Sequence, residues 1–158
     1  MSAVEDRLKE LGLTVPDVAK PVAAYVPALQ DGRRIYTSGQ LPMVSGELAQ
    51  TGKVGDGHGL VPPEDAKKLA EVCALNAIAA VKSVVGDLDK VAQVVKVVGF
   101  VASDPSFTGQ PGVVNGASEL LGKAFGDAGV HARSAVGVAV LPMDAPVEVE
   151  IVVALADE

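Results

Sequence analysis

The stretch His131-Ala132-Arg133-Ser134-Ala135-Val136-Gly137-Val138-Ala139-Val140-Leu141-Pro142 carries apolar or small residues at almost every place, and Ala132 to Leu141 reads as a strand. A period of two puts Ser134, Val136, Val138 and Val140 on one face, and Arg133, Ala135, Gly137 and Ala139 on the other. Gln93 to Ala102 reads as a second such strand, with Val95, Val97 and Val101 on one face and Val94, Val98 and Phe100 on the other. Neither shows the plain apolar and polar alternation of an antiparallel strand half in water. Two long helices suffice to cover one face of such a sheet, and a chain of 158 residues has little left for the other. A partner subunit is expected there, most simply a second copy. Ala135, Gly137 and Ala139 would permit its close approach, with Arg133 and Glu148 pointing into the space between subunits. The alternative is that these positions face water.

The rest of the chain supplies the helices and the remaining strands. Ser2 is placed to cap a short helix through Leu11, with Gly12 as its stop, and Pro16 and Pro21 bracket a linker. Val22 to Leu29 reads as a strand, and Asp31-Gly32 as a hairpin turn into Arg34 to Ser38. Ser45-Gly46 marks another turn before Glu47 to Gln50, and Thr51 to Gly59, with four glycines, reads as a loop. Pro62-Pro63 opens a helix through about Val85, stopped by Gly86, with Leu69, Val72, Cys73, Ala77, Val81 and Val84 on one stripe. Asp87 to Val91 is a short turn or helix. Pro111 to about Phe125 is the second long helix, and Pro146 to Ala156 the last strand. The order is α-β-β-β-α-β-α-β-β, without a repeat of solenoid period.

Composition narrows the function. Half the residues are apolar (49%) and 21% are charged, so a disordered chain is not expected. Thirteen Lys and Arg face twenty Asp and Glu, a net charge of -7, and no basic block occurs. Two tyrosines, three phenylalanines and no tryptophan leave little to stack bases on. Nucleic acid is therefore not expected as the main partner. The single cysteine rules out an intramolecular disulfide framework. No apolar run approaches the roughly 20 residues of a membrane span, and Met1 to Lys9 lacks a signal core. A cytoplasmic protein without membrane partners is the simplest expectation.

Several motifs of catalysis are absent. Gly52-Lys53 is followed by Val54, not the Ser or Thr of a phosphate loop. Gly55-Asp-Gly57-His-Gly59 has no preceding strand, so it reads as a loop. His58 and His131 lie far apart with no ligand cluster, so no metal is expected. No Gly-x-Ser-x-Gly elbow occurs. Cys73 sits on the apolar stripe and reads as a buried, inert thiol.

His131 to Pro142, followed by Val147-Glu148-Val-Glu150-Ile151, closely resembles the carboxy-terminal signature of the reactive-intermediate deaminase family, called Rid or YjgF. Tyr25-Val-Pro-Ala-Leu and Tyr36-Thr-Ser38-Gly39-Gln40-Leu41-Pro42 look like that family's first two strands, and Val114-Asn115-Gly116 like the start of its second helix. The likeness spans roughly residues 20 to 156. It implies a single domain over residues 1–158 with an amino-terminal helical extension of about residues 1–16, as in a longer subgroup. It also implies a chorismate-mutase-like α+β fold: a mixed sheet with two long helices on one face, assembled as a homotrimer around an inner barrel. The best understood members hydrolyse 2-imino and 2-enamino acids in clefts between subunits, giving 2-oxo acids and ammonium without a cofactor.

Such a substrate carries a carboxylate beside an electrophilic carbon. A guanidinium grips a carboxylate through two parallel, charge-assisted hydrogen bonds. Arg133 is the candidate, the other arginines (Arg7, Arg33, Arg34) suiting a helix and a turn. An ordinary ion pair is its alternative. Water must add to the carbon while the nitrogen is protonated, which asks for a positioned acid. Glu148, six residues after Pro142, matches the family's acidic position; Glu150, on the same strand face, is the alternative acid. The resemblance also places Tyr25, Ser38 and Gly39 along the cleft. Tyr25 would pack on the substrate, the Ser38 hydroxyl would meet its carboxylate, and the Gly39 carbonyl would hold the imine nitrogen or a water. Asn115 either lines the cleft or caps its helix. His131 is an added candidate for substrate contact. Where many of these deaminases have Cys, this chain has Ala135, which leaves two further readings open: a carboxylate-binding sensor without turnover, and the ribonuclease or translation-inhibitor activity ascribed to some relatives.

Overall fold

The computed structural model describes residues 1–18 and 24–158. Helix α1 (Ala3–Glu10) opens on a capping box: the Ser2 hydroxyl accepts from Glu5 N, and the Glu5 carboxylate accepts from Ser2 N. Val4 and Leu8, one turn apart, are buried against the main body. Polar contacts fix the same helix. Asp89 accepts from the N–H of Ala3 (2.8 Å) and Val4 (3.3 Å), Arg7 donates to Ala124 O (3.0 Å), and Glu5 pairs with Lys82.

Strands β1 (Ala28–Asp31) and β2 (Arg34–Thr37) form a hairpin around Gly32-Arg33, where Gly32 takes the φ of 61° that opens a type II′ turn. β1 begins later than Val22 because Pro27 has no N–H to give a ladder. Tyr25 lies in a bend before it, and Val22 and Pro21 lie outside the described residues. β3 (Met43–Val44) and β4 (Glu47–Leu48) make a small hairpin of their own around Ser45-Gly46. Helix α2 (Pro63–Val85) starts on Pro63 and stops at Gly86, and a 3-10 turn at Leu88–Lys90 leads into β5 (Val91–Ala102). Helix α3 (Gln110–Phe125), β6 (Ala132–Val138) and β7 (Val147–Leu155) complete the chain.

The five-stranded sheet runs β1-β2-β7-β5-β6. Only β5 and β6 are parallel, joined by the α3 crossover; the other neighbours are antiparallel. Helices α2 and α3 cover one face, above Ile35, Val94, Val97, Val101, Val147, Val149, Ile151 and Val153. Much of the buried surface of α2 is alanine (Ala66, Ala70, Ala74, Ala77). Gly116 of α3 packs so tightly that a Cβ there would collide with the Lys67 carbonyl of α2.

Besides the late start of β1, four details depart from the sequence reading. A bulge between Val94 and Lys96 reverses the phase of β5, so Val94, not Val95, shares the buried face with Val97 and Val101. β6 stops at Val138, where its partner β5 ends at Ala102, so Ala139 to Leu141 leave the sheet. The α2 stripe continues from Val81 to Val85 by a full turn, leaving Val84 exposed. The small-residue face of β6 is the helix face: Ala135 packs against the core, and Gly137 lies under Gln110 and Ser103. The close approach there is made by α3 and its entry loop, not by a second subunit.

Among the described residues the opposite sheet face carries no helix. In the register, Leu29, Tyr36, Val152 and Lys96 lie in one row, Glu150, Val98 and Ser134 in the next, and Glu148, Phe100 and Val136 in a third. Leu29 is 61% exposed, Tyr36 44% and Val136 43%, a broad apolar surface for a chain this size.

Candidate functional site

The residues singled out in the sequence fall into two clusters. The first lies where α3 crosses the edge strand β6. Pro111, Asn115 and Ser118 recur at i, i+4 and i+7, so they share one helix face. Arg133 reaches up to that face. Its Nη1 donates to Asn115 Oδ1 (2.7 Å) and Ser118 Oγ (3.2 Å), and its Nη2 donates to Pro111 O (3.2 Å). A guanidinium has five N–H donors, so two remain without a partner among the described residues. Asn115 thus orients the arginine; it lies a turn inside α3 and does not cap it.

His131 is tied into the same cluster from within the chain. Its Nδ1 is 2.6 Å from Gly129 O and its Nε2 is 2.8 Å from Ser118 Oγ. Both ring nitrogens are therefore engaged, and a direct substrate contact through them, as expected above, is not available in this arrangement.

The second cluster lies at the end of β2 beside β7. Ser38 N donates to Pro27 O (2.8 Å), and the Ser38 hydroxyl donates to Val26 O (2.6 Å). That hydroxyl holds the Tyr25-Val26-Pro27 segment in place, and its hydrogen is not free for a carboxylate. Gln40 and Val149 exchange two backbone hydrogen bonds, which lays Gly39 against β7. Glu148 sits immediately over Gly39, where any Cβ would collide with the carboxylate. Half-burial, and next the neighbouring Glu150 charge, raise the Glu148 carboxyl above its ordinary value. Tyr25 is exposed in the adjacent bend. Cys73 lies beneath β7 with its thiol donating to Val147 O (3.7 Å); burial first, then the Glu148 charge, push that thiol well up, so it stays protonated.

The clusters do not meet within one chain. Arg133 stands opposite Val97, and Glu148 opposite Phe100, with β5 between their strands. They are two strand spacings apart, about 10 Å, and about 10 Å more along the strands. They also point to opposite faces, since Arg133 bonds α3 while Glu148 alternates with buried Val147 and Val149. The joint orientation of Arg133 and Glu148 expected from the strand faces is corrected here. The reason is the α3 crossover, which covers the arginine side of β6.

Sequence reading missed two residues that shape these clusters. Ser118 was visible only by projecting α3 forward from Asn115 and noting a polar residue on that face. Asn76 is the one buried amide on the apolar stretch of α2. Its Nδ2 donates to Leu41 O and Met43 O, both at 3.0 Å, and so pins the segment that follows Gly39. Among the described residues no three His, Cys, Asp or Glu side chains gather as a metal site, and no helix is long and apolar enough to cross a membrane.

A two-layer α+β chain with this mixed sheet, two helices on one face and Arg133, Gly39 and Glu148 in these places has the YjgF/chorismate mutase-like fold. The chain belongs to that family, described as "YjgF/chorismate mutase-like, putative endoribonuclease", which it matches over residues 5–155. It is similar to Protein TCP17 of Trypanosoma cruzi, 41% identical over 96% of this chain and 94% of the relative. Among solved structures it resembles Atu1372 of Agrobacterium tumefaciens, with 47% identity, a TM-score of 0.90, and coverage of 98% of this chain and 93% of the other. It also resembles a protein of Shewanella oneidensis described as a putative endoribonuclease, with 31% identity, a TM-score of 0.91, and coverage of 96% and 99%.

Proposed function

We propose that this protein hydrolyses small 2-imino and 2-enamino acids to 2-oxo acids and ammonium, without a cofactor, in clefts where one subunit's Arg133 faces a second subunit's Glu148 in a homotrimer. The observation that carries this reading is the divided site. A guanidinium with two uncommitted donors stands at one sheet edge, and a carboxyl held towards its protonated form stands on the uncovered face. Each is half of what the reaction needs, and one chain cannot bring both to a three- or four-carbon substrate. The exposed apolar rows of that face suit burial against another copy.

The chemistry follows from the two groups. Arg133 holds the carboxylate. Neutral Glu148 gives its proton to the imine nitrogen, which makes the adjacent carbon more electrophilic. The Glu148 carboxylate then takes a proton from water as the water oxygen bonds to that carbon. Glu148 returns this proton to the nitrogen, the carbon–nitrogen bond breaks, and ammonia leaves. The new carbonyl loses its hydroxyl proton to Glu148, which restores the acid, and ammonia is protonated in solution. An enamine enters the same sequence after protonation at its terminal carbon.

A second reading rests on Ala135 and the occupied Ser38 hydroxyl: a cleft that holds 2-oxo acids without turning them over. The charge of -7 opposes a main role on RNA, despite the name carried by the Shewanella relative. The test is to generate 2-iminobutanoate in place with semicarbazide competing for it. Native protein should suppress the semicarbazone, and Arg133→Ala and Glu148→Gln should not. Binding of 2-oxobutanoate with no suppression would favour the second reading, and suppression unchanged by Arg133→Ala would end the first.

A further inference from the structure

We infer that Ser118 and His131 form a one-directional hydrogen-bond relay that positions the Arg133 guanidinium for a carboxylate, and that the relay requires neutral His131 with its proton on Nδ1. The inference rests on the proposed role of Arg133 and deepens it. Two of the three bond directions are fixed by the atoms, and the proposal assigns the third. The oxygen of Gly129 is a carbonyl and can only accept, so Nδ1 of His131, 2.6 Å away, carries the hydrogen. Arg133 Nη1 can only donate, so Ser118 Oγ accepts from it at 3.2 Å. The Ser118 hydroxyl keeps its hydrogen to give, and Nε2 of His131 stands 2.8 Å away; in a neutral ring protonated at Nδ1 that nitrogen accepts it. The result is Arg133 to Ser118 to His131 to Gly129, each group donating to the next.

This arrangement gives His131 a reason to lie two residues before Arg133, just ahead of the strand that bears it. Side chains at 131 and 133 share a face, and α3 lies on that face with Ser118 between them. With Asn115 and Pro111 as its other partners, the guanidinium is held at three points, and its rotamer freedom is lost before substrate arrives. Because the substrate carboxylate keeps its charge throughout the reaction, a better-held Arg133 strengthens substrate and transition state alike. The relay should therefore act on KM and leave kcat alone.

The experiment measures kcat and KM for 2-iminobutanoate in the semicarbazide competition, together with the ring-nitrogen NMR shifts of His131, assigned by their loss in His131→Gln. Ser118→Ala and His131→Ala should raise KM roughly tenfold with kcat unchanged, the loss of one charge-assisted bond. Ser118→Thr, which keeps a hydroxyl, should recover most of the affinity. His131→Gln, which keeps an acceptor near Nε2, should recover more than His131→Asn, which keeps only a donor near Nδ1. The spectrum should show the Nδ1–H tautomer, the less common one for a free imidazole. An Nε2–H tautomer, equal behaviour of the Gln and Asn variants, or unchanged KM in Ser118→Ala would overturn the relay. A KM unchanged by Arg133→Ala would instead overturn the deaminase reading, while the tautomer still decides whether the relay exists.

Discussion

The Glu148 carboxylate rests on Gly39, in the space a Cβ there would need. The φ of Gly39 is not positive, so what glycine supplies there is room for the carboxylate and not backbone freedom. Gly39→Ala should therefore push the carboxylate off its place while leaving the sheet paired. A positioned acid contributes about 100- to 10,000-fold, so imine hydrolysis should fall by about 100-fold or more in both Gly39→Ala and Glu148→Gln. Steady-state rates beside a circular dichroism melt check this; wild-type rates in Gly39→Ala would remove Glu148 from the chemistry.

The raised Glu148 carboxyl makes a prediction about stability. Half-burial and then the Glu150 charge penalise the ionised form in the folded chain. Folding therefore favours the neutral form, so the penalty is absent below the ordinary value of 4.5 and grows as pH rises through the raised folded value. Glu148→Gln should raise Tm near neutral pH and leave it unchanged in acid. Scanning calorimetry of both proteins across that range measures the difference, which should open with rising pH and not close.

Local signals made the helices legible. Pro62-Pro63 and Gly86 bound α2 because a helix start tolerates proline and its end tolerates positive φ, and both needs are met within a few residues. The phase of β5 was not legible, because the bulge at Val94 to Lys96 exists only through pairing with β7, nearly sixty residues later. The same holds for the site. Arg133, Gly39 and Glu148 could be named from the sequence, but which face of β6 Arg133 takes depends on where the α3 crossover lies. Nothing local to His131 in the sequence reveals that both its ring nitrogens are engaged, because their partners Ser118 and Gly129 are set by the packing of α3.

The amino-terminal helix should act as a clamp on its own subunit. Leu8 is fully buried, and Leu8→Ala should cost about 2–5 kcal/mol in urea unfolding with an unchanged slope. The Glu5 carboxyl is lowered to about 2, chiefly by its hydrogen bond with Lys82 and then by Ser2 N. A lowered value stabilises the fold above 4.5 and loses that effect as pH falls towards 2. Lys82→Met should therefore narrow the stability difference between neutral and acid solution. An unchanged acid dependence in Lys82→Met would show that the pair contributes nothing.

Asn76 offers a test of how far the second cluster depends on its support. The Asn76 amide donates to the carbonyls of Leu41 and Met43, just past Gly39-Gln40, from a helix whose neighbouring side chains are alanine, isoleucine and cysteine. Asn76→Ala leaves both carbonyls without that donor, at a cost of about 1–3 kcal/mol. The segment from Thr37 to Gln40 keeps its other anchors, the Thr37 hydroxyl accepting from Ile151 N (2.9 Å) and the Gln40–Val149 bridge. The chain should therefore fold, with Gly39 less tightly held against Glu148. Because Arg133 and its partners lie on the other face, carboxylate binding should be unaffected. The expected signature is a kcat several-fold below wild type at unchanged KM, opposite to that of Ser118→Ala. If both variants moved the same constant, the two clusters would not be doing separate tasks.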